Sequence, residues 1–428
     1  MGIKTNKWLT QEASISVLIV YLFLLILLFL AFITLGKIDA LPNSHSLLQW
    51  DAKWYESIIQ NGYSFHENIQ SNAGFFPGFP LLWKTIGLGV LGISIVNLFL
   101  FLSAFYLLCK LLKASNLVAL IVLSLPSIFF FYVPYSESLF YLLTVLAIIA
   151  WRKEKWWMVV LMCILLAFVR PVIFFLIPAI FMAFLLKKQW KSYWKTLLVM
   201  SALIAGTMLG FYYIGQITGD FFAYSKSQIG NWGHEFSLPA FPLTTWRGYR
   251  ILWLDGLALF TVLTIIFVAL KIMYQSWVKQ NKSSLNTLDI ISLFYTCMIF
   301  VYVFFFHPKE NGLTSMLSLN RYIFCNPFLH YLLLKYLISF EWKRTHLLSI
   351  IGISVVCVVI LGFPYHALVG LSYTKSILFF VGFIGFILLE SSLLYKNQRF
   401  LIICLIILIN LILQLYVFQG FLKGNWIG

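Results

Sequence analysis

Residues 49–63 read Gln49-Trp50-Asp51-Ala52-Lys53-Trp54-Tyr55-Glu56-Ser57-Ile58-Ile59-Gln60-Asn61-Gly62-Tyr63. Wound as a helix at about 100° per residue, Leu47, Leu48, Trp50, Trp54, Tyr55, Ile58 and Ile59 share an apolar face. Gln49, Lys53, Glu56, Ser57 and Gln60 share the polar one. Asp51 stands in the middle of the apolar face. Such a helix is expected to lie on a membrane surface, apolar side inward, turning one carboxylate toward protein or lipid. That placement is costly unless the carboxylate has a partner or a task. Asp51 then pairs with a buried arginine, caps a helix, or serves as a general base.

Three further groups carry unusual chemistry. Gly74-Phe75-Phe76-Pro77-Gly78-Phe79-Pro80 is an aromatic turn rich in proline and glycine. In Val133-Pro134-Tyr135-Ser136-Glu137-Ser138, Ser136 is placed to cap a helix and Glu137 to favour its N-terminal dipole. The third is a basic set, Arg170, Lys226, His234, Arg247, Arg250 and Arg321. One carboxylate among cations and aromatic walls suits glycosyl transfer from a lipid-phosphate sugar. The carboxylate accepts the acceptor hydroxyl's proton, cations stabilise the departing phosphate, and aromatics stack on sugar and isoprenoid. No glycine-rich phosphate loop or nucleotide-binding βαβ unit is visible, which favours a membrane-anchored donor over a soluble sugar nucleotide.

The elements that must position these residues are membrane helices. The chain is 61% hydrophobic and 10% charged, with a mean hydropathy of +0.92. No soluble domain has that balance. The formal charge of +16 does not indicate nucleic acid, because the charges sit in short loops between apolar spans. The six cysteines, Cys109, Cys163, Cys297, Cys325, Cys357 and Cys404, form no CxxC pair. Neither a disulfide framework nor a metal cluster is expected from them. The first span follows Lys4 and Lys7 without a small-residue cleavage site and reads as a retained helix.

Spans are expected at roughly 14–36, 87–111, 116–133, 137–151, 156–169, 171–186, 195–217, 251–273, 288–306, 321–339, 346–363, 375–394 and 399–421. Placing the N-terminus in the cytoplasm puts most of the 30 basic residues in short cytoplasmic loops. Loops 37–86 and 218–250 then lie outside, and long loops are commonly functional. The expected fold is an all-α polytopic membrane protein of about thirteen transmembrane helices in one domain, 1–428. Its two long extracytoplasmic loops carry short interfacial helices, and 321–428 supplies the C-terminal helices.

At these residues the chain resembles the PIG-V family, the GPI mannosyltransferase 2 type, within the GT-C class of multi-spanning glycosyltransferases. The resemblance rests on Trp50-Asp51-x-x-Trp54-Tyr55-x-x-Ile58-x-x-x-Gly62-Tyr63, then Phe75-Phe76-Pro77-x-x-Pro80, then Pro134-Tyr135-Ser136-Glu137-Ser138-Leu139-Phe140. Weaker echoes are Gln228-x-x-x-Trp232 and Asn320-Arg321-Tyr322. The motifs occur in family order. The resemblance implies a GT-C-type bundle, a dolichyl- or polyprenyl-phosphate sugar donor, typically mannose, and inverting transfer on the lumenal or outer face. It implies Asp51 as base, Glu137 as a site-lining acid and Arg321 as a ligand of the donor phosphate. Trp50, Trp54, Tyr55, Phe76, Tyr135, Trp232 and Tyr322 are expected to line the site. Arg170, Lys226, His234 and Arg247 join it on position and charge alone.

Two departures shape the expectation. Many GT-C enzymes carry two neighbouring acids in the first loop, whereas nothing acidic adjoins Asp51 and Glu56 falls on the polar face. No cofactor or metal is therefore assigned, and divalent-metal dependence is left open. Short loops and the ending Gly424-Asn425-Trp426-Ile427-Gly428, without a retention signal, suit a bacterial cytoplasmic membrane, with the endoplasmic reticulum as the alternative. The expected partners are the lipid-phosphate sugar, a glycan, glycolipid or protein acceptor, and membrane lipid, with no nucleic acid. The competing class is a transporter or flippase, whose candidate intramembrane acids are Asp255 and Glu390. The outward concentration of acids favours the enzyme.

Overall fold

A computed structural model describes residues 10–67, 69–188, 193–245, 251–279, 285–306, 308–310, 312–337, 344–363, 371–391 and 396–428. Among them six helices are long and apolar enough to cross a membrane. They are α1 (Ile15–Thr34), α3 (Val90–Leu112), α6 (Tyr193–Thr218), α7 (Leu252–Trp277), α8 (Thr287–Phe305) and Leu401–Leu422, within α10 (Lys396–Leu422). Between these lie α2 (Asp51–Asn61), α4 (Glu137–Arg152), α5 (Trp156–Val169) and α9 (Leu319–Phe324). The chain is thus a multi-pass helical membrane protein. Strand is confined to two-residue pairs such as β1 (Lys309–Glu310) against β2 (Leu313–Thr314).

The six long helices coincide with the expected spans at 14–36, 87–111, 195–217, 251–273, 288–306 and 399–421. Helices Arg344–Leu361 and Tyr373–Ser391 overlie the expected spans at 346–363 and 375–394. The remaining expected spans are shorter or interrupted, and proline accounts for three interruptions. Pro126 opens a 3-10 stretch, Pro126–Tyr132, bent by 95° from α4. Pro171 ends α5 by removing a backbone donor and forcing Arg170 into an extended conformation. Pro327 separates α9 from the helix Pro327–Tyr336, dividing the expected 321–339 span. The break at Pro171 falls beside Arg170, which the site uses.

Close backbone approaches fix the helices around that site. Gly206 lets α6 press against α5, where an added Cβ would lie 2.8 Å from Ile164 Cα. One turn on, Gly210 receives the ring of Phe76. Small residues at such spacing are how membrane helices approach without a hydrophobic drive. Gly78 does the same for the segment after α2, since a Cβ there would meet Val169 Cα at 2.9 Å. The aromatic turn is thereby docked against the break that carries Arg170.

Candidate active site

The first catalytic candidate sits at a helix start rather than mid-helix. α2 begins at Asp51, four residues later than the amphipathic pattern implied. Trp50 precedes it with φ 52°, a value bulky residues rarely adopt. Its indole Nε1 donates to the Asn425 carbonyl at 3.1 Å, and its ring meets Trp426 edge-on at 4.8 Å. The buried stripe of α2 is Ala52, Tyr55 and Ile58, so Asp51 lies at the margin of the packed face. In the first turn, the unpaired backbone N–H groups favour its negative charge.

Arg321 joins the acids. Its Nη1 donates to Asp51 Oδ2 at 2.7 Å and its Nε to Glu137 Oε1 at 2.5 Å. Arg170 pairs with the same Glu137 oxygen. Two guanidinium groups and two carboxylates therefore balance one another. Glu137 and Arg321 are deeply buried, their side chains 3% and 6% exposed, whereas Asp51 is 19% exposed. Of the readings open for Asp51, pairing with a buried arginine is realised, whereas capping is not: Asp51 is the first residue inside α2 and makes no capping bond. Among the described residues no bond engages its Oδ1.

Surrounding groups hold the quartet in place. Arg321 lies over the rings of Tyr135 at 4.4 Å and Phe130 at 5.3 Å. Arg170 lies over Tyr322 at 5.7 Å. The start of α9 is clamped by buried Asp255 of α7, whose Oδ1 accepts from the Asn320 backbone at 3.0 Å and from Asn320 Nδ2 at 2.9 Å. Thr245 donates to the other Asp255 oxygen at 2.7 Å. Asp255, the transporter candidate, is thus committed to neutral hydrogen bonds that place Arg321. The side chain of Ser136 makes no capping bond; its Oγ accepts from the Tyr55 hydroxyl at 3.0 Å. Glu137 does open α4, but its carboxylate is spent on the two arginines.

A cavity of about 730 Å³ opens over this quartet. Trp50, Asp51, Trp54, Tyr55, Phe76, Arg170, Trp232, His234, Arg321 and Tyr322 all line it. Asp51 is the only carboxylate in the lining among the described residues. Tyr135 and Glu137 lie behind the wall, supporting Arg321 instead of facing the space. Lys226 is a correction: it is half exposed and salt-bridged to Asp220 at 2.7 Å, away from the cavity. The pair stands six positions apart along the same segment, so the nearest acid captures the ammonium. Arg247, with Arg250 and His307, lies outside the described residues. His234 meets the Tyr302 hydroxyl at 3.2 Å, and burial pushes its imidazole down to about 4.

Several lining residues escaped the sequence reading. Trp426, Tyr302, Tyr224 and Lys309 come from distant segments that no local pattern links to Asp51. The available signal was the Trp between glycines near the end of the chain. Among the described residues no three His, Cys, Asp or Glu side chains converge in a metal-binding group. No family model, curated protein or solved structure matches the chain.

Proposed function

We propose that the protein is an integral-membrane inverting glycosyltransferase. It moves a sugar, mannose in the first instance, from a polyprenyl- or dolichyl-phosphate donor to an acceptor hydroxyl. The supporting observation is the placement of Asp51 on the wall of a large cavity, beside the guanidinium groups of Arg321 and Arg170 and among aromatic rings. In this reading about thirteen crossings complete a GT-C-type bundle, and the cavity faces outward from a bacterial cytoplasmic membrane.

The chemistry follows from those groups. The acceptor oxygen attacks the anomeric carbon while Asp51 takes its proton. The bond from that carbon to the phosphate oxygen breaks, and its electron pair leaves with the lipid phosphate. Arg321 and Arg170 neutralise the charge that develops there. Arg321 bonds Asp51 at rest, so a bound phosphate draws on the same guanidinium and loosens its hold on the base. The donor's tail has an apolar flank available, where Phe174 and Met208 line the cavity yet are 43% and 46% exposed on the protein surface. That flank lies between the Pro171–Phe175 turn and α6.

The test is transfer of radiolabelled sugar by the purified protein in lipid nanodiscs, with membrane extract as acceptor. Polyprenyl-phosphate mannose is offered first, then the glucose and galactose donors. Label is expected in an extract component with inverted anomeric configuration. Intact donor and no product with any of the three would reject the enzyme, and lipid-linked label crossing proteoliposome membranes would establish the transporter instead.

A further inference from the structure

The two outer loops meet in an aromatic corner that neither the base nor the phosphate-binding pair uses. Trp54 and Phe75 stack with centres 6.2 Å apart at 18°. Trp232 stands edge-on to both, at 5.5 and 5.7 Å. All three line the cavity and are only partly buried. The corner is built from both loops at once. Gln228 donates to the Gly74 carbonyl at 2.8 Å. A Cβ on Gly74 would lie 2.6 Å from Trp232 Nε1, so the glycine sets where the indole stands.

The chemistry of this corner is selective. Its polar neighbours in the lining include Gln228, His234 and Ser315, which are uncharged groups able to donate or accept. Burial keeps the His234 imidazole neutral near pH 7. Lys309 stands at the exposed rim. A lipid tail has no use for amides and hydroxyls, and an anion would seek the arginines. Flat rings ringed by neutral hydrogen-bonding groups match a pyranose, which presents a C–H face and a girdle of hydroxyls. Trp54 follows Asp51 by three residues on α2, which puts their Cβ atoms about 5–6 Å apart. A sugar seated on Trp54 therefore brings a hydroxyl to the base.

We propose that the corner of Trp54, Phe75 and Trp232 is the acceptor subsite and that the acceptor is a neutral glycan. This assignment rests on the glycosyltransferase reading. In the step it serves, the acceptor O–H bond breaks and its proton passes to Asp51. The acceptor oxygen bonds the donor's anomeric carbon, and the sugar–phosphate bond breaks with its electron pair on the lipid phosphate.

Binding tests it without catalysis. The full chain in nanodiscs is titrated with a tritiated alkyl mannoside and, separately, with a serine- and threonine-containing hexapeptide. Saturable mannoside binding is expected, weakened roughly tenfold by Trp232→Ala and restored by Trp232→Phe. Gly74→Ala, which displaces the indole without deleting it, is expected to weaken binding as well. In transfer assays Trp232→Ala raises the acceptor KM and leaves the donor KM unchanged. No mannoside binding by the wild type, equal binding by folded Trp232→Ala, or Trp232-dependent binding of the peptide alone would overturn the proposal. Trp232-dependent mannoside binding without sugar transfer from any lipid-phosphate donor would support the glycan site and reject the transferase.

Discussion

Arg321 is one side chain serving two acids, Nε to Glu137 at 2.5 Å and Nη1 to Asp51 at 2.7 Å. Arg321→Lys keeps the charge but replaces a rigid fork with a compact ammonium that reaches only one carboxylate at a time. Losing one charge-assisted hydrogen bond costs about 1.5–3 kcal/mol. Since about 1.4 kcal/mol is a factor of ten, kcat/KM for the donor is expected to fall roughly 10- to 150-fold. Arg321→Met goes further. It leaves Glu137 with Arg170 alone and Asp51 without its guanidinium, and breaking a buried ion pair costs about 3–5 kcal/mol of stability. Transfer rates across donor concentrations measure the first effect, and thermal melting in detergent the second. Wild-type kcat/KM in Arg321→Lys, or wild-type melting in Arg321→Met, would refute the shared-guanidinium geometry.

Smaller perturbations have graded outcomes. Tyr55→Phe removes the 3.0 Å bond to Ser136 and is expected to lower stability by about 0.5–1.5 kcal/mol, read from melting. Lys226→Ala removes only a surface pair with Asp220 and is expected to leave both melting and transfer unchanged. His234 carries a sign: its imidazole is pushed from 6.5 down to about 4, so the unfolded chain takes the proton first as pH falls. Stability that His234 supplies above 6.5 is therefore lost as pH drops toward 4. Melting of the wild type is expected to fall over that window more than that of His234→Gln.

The legible part of the site was the part with local pattern. Asp51 stood out because an acid interrupted an apolar stripe, and Arg170 because a lone cation sat between two apolar spans. The amphipathic pattern misplaced the start of α2, since the left-handed turn at Trp50 is stabilised by Asn425 and Trp426 from the far end of the chain. Glu137 read as a helix-terminus acid, and local geometry agrees, but its two arginines come from 33 and 184 residues away. Lys226 misled because charge alone does not say which acid is nearest. Long apolar helices were found with near-correct bounds, because hydropathy over about 20 residues is a strong signal. The short helices on either side of Pro171 were also placed correctly, whereas the breaks at Pro126 and Pro327 inside 116–133 and 321–339 were not, because a short apolar piece reads the same whether it crosses the membrane or turns within the protein.

The most direct measurement compares wild type with Asp51→Asn in transfer of radiolabelled mannose from polyprenyl-phosphate mannose. The substitution is nearly isosteric and keeps an acceptor oxygen for Arg321, so the protein is expected to fold. Loss of a general base is expected to lower transfer by about 10²–10⁴-fold with donor affinity largely retained. A folded Asp51→Asn protein that transfers sugar at the wild-type rate would contradict the assignment of Asp51 as the base.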